Sequence, residues 1–150
     1  MYDPLHHVTP GTNEPYPNSY WADISGQAPE DDGMLNQDID VDVCIIGAGY
    51  TGLSTALHLA TEHGIKATVI EANRTAWGCS GRNAGFILKT SGRKSFSQMQ
   101  AQWGEEVMRG IYNEMTEGVD TVNQLIARGI DCDQQSNGYI KVAHKANKMD

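Results

Sequence analysis

The sequence predicts an α/β fold built on one β-α-β unit. Three observations carry that prediction: a β-branched apolar run at Val41–Ile46, a glycine-rich turn opening into a helical repeat, and a second β-branched run at Lys66–Ile70. At 150 residues the chain suits one domain of ordinary size, and its compact part is expected to begin near Asp40. Residues 1–39 precede it as an extended arm that wraps or dangles, because they hold all five prolines, many polar groups and only scattered apolar ones.

The run "VDVCII", residues 41–46, is of the kind expected for a strand buried on both faces of a parallel sheet. Gly47, Ala48, Gly49, Tyr50, Thr51 and Gly52 follow with the spacing G-x-G-x-x-G. Leu53, Ala56, Leu57 and Ala60 then recur at helical intervals until Gly64, a natural helix C-terminal residue. The second run, "KATVI", ends at Glu71, nineteen positions after Gly52. In this order the first glycine permits a tight turn, the second lets backbone approach a pyrophosphate, and the third lets the helix pack close to the strand. The amides of Tyr50 and Thr51, with the positive end of the helix dipole behind them, face the phosphates. Glu71 is placed to accept hydrogen bonds from the ribose of an adenosine and would repel a 2′-phosphate, which disfavours NADP; Arg74 nearby either offsets that repulsion or is simply solvated. The unit therefore predicts dinucleotide binding and leaves FAD and NAD both open, since each presents an ADP half to the same turn.

After Glu71 the simple alternation of strand and helix stops. "ANRTAWGCSGRNAGFILKTSGRKS" is rich in glycine, serine and asparagine. Within it, residues 77–85 combine a flexible backbone with a hydroxyl, a guanidinium and an amide, which suits a loop lying against a phosphate and a heteroaromatic ring; a surface loop with chance chemistry is the alternative. From Trp103 a second helix is expected, with Val107, Ile111, Met115, Val119, Val122 and Ile126 on one face, Met108 and Tyr112 widening it, and Gly129 just past its end. Two short strands near 130–135 and 138–144, joined at Asn137-Gly138, complete the reading.

Composition excludes several classes. Eleven basic residues against 19 acidic ones, a net charge of −8, give no electrostatic footprint for nucleic acid or an anionic membrane. No apolar run approaches the roughly 20 residues of a membrane helix, and Met1–Pro10 lacks the features of a secretory signal, so a cytoplasmic location is expected. Cys44, Cys79 and Cys132 form no C-x-x-C pair and are expected as reduced thiols. No metal site is expected: His58 and His63 do not share a helix face, His6 and His7 sit in the arm, and His144 has no evident partner. Asp131 and Asp133 read as a solvated rim, no G-x-S-x-G motif occurs, and no catalytic base is identified.

The segments "DVCIIGAGYTGLSTALHLA", "VIEANRTAWGCSGRNAG" and "NSYWAD" together resemble the amino-terminal portion of FAD-dependent oxidoreductases of the D-amino-acid oxidase and glycine oxidase type. Within that group the similarity is greatest to gamma-glutamylputrescine oxidase-like enzymes, and it runs from about Pro17 to the end. The resemblance implies a Rossmann-like FAD/NAD(P)-binding domain, FAD as cofactor, and the start of an antiparallel substrate-domain sheet at the proposed hairpin. It implies that Gly47, Gly49 and Gly52, with the amides of Tyr50 and Thr51, hold the FAD pyrophosphate, that Glu71 holds the adenosine ribose, and that Ala72 and Arg74 lie beside the ADP half. Ser80, Arg82, Asn83, Ala84 and Gly85 would run along the pyrophosphate, ribitol and flavin ring. Cys79 stands where an alanine is usual; a thiol is only slightly larger, and its place in the phosphate-binding segment argues against a covalent flavin link.

The implied partition is an arm at 1–39, the FAD-binding unit and flavin-contacting loop at 40–100, and a helix with the opening of the substrate sheet at 101–150. The implied activity is oxidation of an amine or amino-acid CH–NH bond to an imine, with hydride transfer to flavin. Enzymes of this type are far longer, so the chain is expected to be an amino-terminal fragment. On that reading it is either part of the oxidoreductase or a nucleotide-binding module without turnover, whose exposed edges favour self-association or a completing chain. An NAD-dependent dehydrogenase is the remaining alternative.

Overall fold

The computed structural model describes His6 and residues 14–90, 92–135, 138–140, 142, 143 and 145. The chain divides into two compact units, Met1–Ala84 and Gly85–Asp150.

The first unit contains the expected β-α-β element. Strand β1 (Cys44–Ile46) pairs in parallel with β2 (Thr68–Ile70), in the register Cys44 to Thr68, Ile45 to Val69 and Ile46 to Ile70. A short helix, α1 (Tyr20–Ile24), precedes them, and α2 (Tyr50–His63) crosses between them. Helix α2 stops where Gly64 adopts the left-handed conformation, φ 66°, and returns its amide to Leu59. Both strands are shorter than their β-branched runs. A strand is defined by its partner, and this ladder starts where Thr68 donates to the Val43 carbonyl and ends where Ile70 accepts from Gly47.

Burial of the sheet also differs from the expectation of two covered faces. Ile45 lies against α2, whereas Cys44 and Ile46 are exposed, Ile46 to 86%. The described residues form a two-stranded sheet with α2 against the Ile45 face; on the other face Thr68 and Ile70 of β2 are half-buried, and β1 is left open. Among the described residues, Ala48 and Trp77 are the buried apolar ones of this unit.

The arm wraps. The Tyr16 hydroxyl donates to the Thr75 carbonyl at 2.7 Å, and the Trp77 indole N–H donates to the Pro15 carbonyl at 3.0 Å. Residues 14–17 thereby lie on the loop that leaves β2, about sixty positions further along the chain.

The second unit is a helical pair. Helix α4 (Glu105–Ala127) is the expected amphipathic one, with Ile111, Met115, Val119, Val122 and Ile126 half-buried, although Val107 is exposed. Helix α3 (Phe96–Trp103) was not expected, yet its start is written in a capping box: Ser95 Oγ accepts from the Gln98 amide and Gln98 Oε1 accepts from the Ser95 amide. Gly104, φ 87°, breaks the chain between the two helices. They meet through Met99, which is 2% exposed, and through the edge-to-face pair of Phe96 and Tyr112, 5.5 Å between centroids.

The expected hairpin does not form among the described residues: 130–135, 138–140, 142 and 143 take up no strand. Ser136, Asn137, Lys141 and His144 lie outside the described residues. A two-stranded hairpin is marginal in water without a third strand or a covering helix, and Tyr139, Ile140 and Val142 are indeed exposed. Because Met99 carries the apolar contact of the helical pair, Met99→Ala should lower its stability by about 2–4 kcal/mol. Urea unfolding followed by far-ultraviolet circular dichroism checks this; an unchanged midpoint would remove Met99 from the core.

Candidate functional site

The glycine turn is shaped by two close approaches. A Cβ on Gly52 would stand 1.9 Å from the Gly47 carbonyl oxygen and 3.2 Å from Ile45 Cγ2, so only glycine lets α2 sit this close to β1. Gly47 has φ 99°, which turns the chain at the end of β1 while its amide still donates to Ile70 at 2.7 Å. Gly49 is the residue before α2 and has no side chain with which to cap it.

That cap arrives from elsewhere. The Tyr50 amide, first of the helix, donates to Ser80 Oγ at 2.9 Å, from a short 3-10 turn at Cys79–Gly81. A Cβ on Gly49 would come within 2.8 Å of the same oxygen. Ser80 thus acts as a non-local N-cap, satisfying one of the amides that an α-helix leaves without an internal partner.

Glu71 serves the turn as well. One carboxylate oxygen accepts from the Ala48 amide at 2.8 Å and the other from the Asn73 amide at 3.2 Å. Ala48 is buried, and its carbonyl accepts from the Ala76 amide at 2.8 Å. One residue between two glycines therefore joins the turn, the end of β2 and the following loop. Ala48 was not singled out from the sequence; an alanine between two glycines carries no chemical signal of its own, since both its bonds are made by backbone.

The rest of the loop is built around Trp77. Arg82 lays its guanidinium over the Trp77 ring, 4.0 Å from the centroid, and its Nε donates to the Trp77 carbonyl at 2.7 Å. Asn83 Nδ2 donates to the Ser80 carbonyl at 2.9 Å and lies 3.3 Å from the Tyr50 hydroxyl. Asn73 Oδ1 accepts from the Glu14 amide at 2.6 Å, while its Nδ2 is buried with no partner among the described residues, a donor left over at the seam between arm and loop.

The structure therefore brings Gly47, Gly49, Tyr50, Gly52, Glu71, Ser80 and Asn83 together, with Arg82 oriented through Trp77. Thr51 is the second residue of α2. Ala72 and Arg74 stand exposed in the turn after β2, Ala84 ends the first unit, and Gly85, φ 72°, opens the second. Among the described residues no group of three or more His, Cys, Asp and Glu converges as a metal site, and no helix is long and apolar enough to cross a membrane.

A family model described as DAO, FAD dependent oxidoreductase, matches residues 42–150. Gamma-glutamylputrescine oxidoreductase of Escherichia coli strain K12 is 40% identical over 120 residues, which are 79% of this chain and 27% of that relative. The probable oxidoreductase OrdL of Haemophilus influenzae is 36% identical over 117 residues, 77% of this chain and 26% of its own length. YhfW of Bacillus subtilis, a putative Rieske 2Fe-2S iron-sulfur protein, is 27% identical over 133 residues, 86% of this chain and 25% of its own length. The chain spans about a quarter of the length of the curated relatives it matches. No solved structure gives a significant match.

Two substitutions test the geometry without any ligand. Gly52→Ala should destabilise the first unit by about 3 kcal/mol, because the added carbon meets backbone rather than a movable side chain. Ser80→Ala should lose about 1 kcal/mol as α2 loses its cap. Thermal unfolding of each variant beside the parent chain checks both values, and an unshifted Gly52→Ala would contradict the close approach.

Proposed function

This chain belongs to the FAD dependent oxidoreductase family, and we propose that it forms the ADP-holding part of a flavoenzyme that oxidises a CH–NH bond of an amine or amino acid. Membership implies a Rossmann-like fold, with which the parallel strand pair and its crossover helix agree. The observation that carries the reading is the convergence of the Tyr50 amide, the Ser80 hydroxyl and the Glu71 carboxylate on the turn 47–52, at the carboxyl ends of two parallel strands.

The donor set suits a pyrophosphate. The amides of Tyr50 and Thr51 belong to the first turn of α2, where the helix dipole favours an anion, and Gly49 keeps side-chain bulk away from them. In the proposed arrangement Gly47, Gly49 and Gly52 shape the turn, the amides of Tyr50 and Thr51 hold the phosphates, and Glu71 accepts from the ribose hydroxyls with lone pairs not used by Ala48 and Asn73. Ala72 and Arg74 lie beside the ADP half, and Ser80, Arg82, Asn83, Ala84 and Gly85 run along the pyrophosphate, ribitol and flavin. FAD, when bound, supplies the two-electron acceptor for a hydride from the carbon bearing the amine. The residues named here bind and orient; the base and the substrate contacts are assigned to residues outside this set.

An amine substrate is supported by the name of the Escherichia coli relative. Three cysteines without disulfides suit a reducing, cytoplasmic setting. A second reading, a nucleotide-holding module without turnover, is favoured by the lack of any strand over 130–135 and 138–140. Self-association or a completing chain would then cover the exposed face of β1.

The deciding experiment is the visible spectrum of the purified chain with and without added FAD, together with identification of any nucleotide released on denaturation. Bound FAD is expected; a chain that stays colourless and takes up none overturns the reading, and release of NAD reassigns the cofactor. Fluorescence titration should show Glu71→Ala weakening FAD by about 1–3 kcal/mol, while Gly49→Val abolishes uptake.

A further inference from the structure

On the reading of this site as an FAD cradle, we infer that Pro15, Tyr16 and Trp77 form a strap that sets cofactor affinity without touching the cofactor. Pro15 and Tyr16, its arm side, lie outside residues 42–150, which the family model matches, and Trp77 lies within them. Tyr16 and Trp77 are positioning residues: they act on the loop 71–83, and the loop acts on the site.

The loop is bonded along both edges. Towards the arm, Asn73 Oδ1 accepts from the Glu14 amide at 2.6 Å, the Thr75 carbonyl accepts from the Tyr16 hydroxyl at 2.7 Å, and the Trp77 indole donates to the Pro15 carbonyl at 3.0 Å. Towards the glycine turn, the Ala76 amide donates to Ala48 at 2.8 Å and Ser80 Oγ accepts from Tyr50 at 2.9 Å. Positions 73, 75 and 77 thus face the arm, and 76 and 80 face the turn. Apart from its short 3-10 turn the loop has no regular structure of its own.

Two features make the arm a good strap. Pro15 and Pro17 have fixed φ, and Tyr16, preceding a proline, is confined to extended conformations, so the segment loses little freedom when it docks. Trp77 is buried and carries Arg82 on its ring, so one anchored side chain orients a guanidinium assigned to the cofactor. A loop held in its binding conformation before the ligand arrives leaves less ordering entropy to be lost on binding, which raises affinity.

Tyr16→Phe removes one hydroxyl and keeps the ring. Trp77→Phe removes the indole donor and keeps an aromatic surface beneath Arg82. Each should weaken FAD about fivefold in a fluorescence titration of the full chain, the effect of one net hydrogen bond. Amide hydrogen exchange without FAD should quicken at Ala76 and Trp77 and stay unchanged in α2 beyond its first turn, a local signature that general destabilisation would not give. Gly49→Val is the control. If the parent chain takes up no FAD, or Gly49→Val binds as the parent does, the cradle itself falls and the strap's role falls with it. If Gly49→Val fails to bind while both strap variants bind as tightly as the parent, the strap alone is overturned.

Discussion

The backbone of Ala48 is where the first unit is joined. Its N–H points to Glu71 and its carbonyl receives Ala76, and it can do both because glycines on either side let the chain turn beneath a helix. A buried main-chain donor and acceptor must be satisfied, and each unmet bond would cost about 1–3 kcal/mol. That requirement ties the carboxylate at the end of β2 and the loop beyond it to the turn. The placement of Ser80 over the Tyr50 amide follows, since the loop that brings Ala76 to Ala48 then carries the hydroxyl past the start of α2.

Hydrogen bonds carry this weight because apolar burial is so slight. In the first unit Ala48 and Trp77 are the buried apolar residues, while Ile46, at the sheet's own carboxyl edge, is almost fully exposed. Burial stabilises by roughly 25 cal/mol per Å² of apolar surface removed from water, so a bare strand face forfeits much of what a doubly covered sheet would gain. The β-branched composition of Val41–Ile46 is that of a covered strand, and in isolation it buries one face only. The exposed residues Tyr139, Ile140 and Val142 pose the same mismatch in the second unit, where a strand-like sequence stands without a strand partner among the described residues.

What could be read from the sequence divides along the same line. Helices α2 and α4 were legible because a 3.6-residue period is a local property, and the C-terminal glycine at 64 is another. Helix α3 was missed because it lies just after a glycine-rich stretch, although Ser95 and Gln98 carried a start signal. Strand limits and the hairpin were misjudged because strands depend on partners remote in sequence. In the site, the glycines and Glu71 were legible from spacing. The bonding role of Ala48, the cap from Ser80 across thirty residues, and the arm's grip on Asn73, Thr75 and Trp77 were not, since each depends on chain segments meeting in space.

If the turn holds a nucleotide as proposed, Glu71 and Ser80 also show why such a site cannot be dissected one residue at a time. Each already holds an amide of the turn, and those amides belong to the set an incoming phosphate or ribose would use or adjoin. A ligand that accepts from Tyr50 must share that donor with Ser80 or displace it, so affinity reflects the difference between the new bond and the old one. On the proposed reading, removing either side chain would delete a cofactor contact and loosen the turn together. The two contributions separate only when a substitution preserves one of them, as a glutamine at position 71 would by keeping an acceptor for Ala48 while discarding the charge. The comparison of Glu71→Gln with Glu71→Ala therefore measures how far this carboxylate is an architectural group and how far a recognition group.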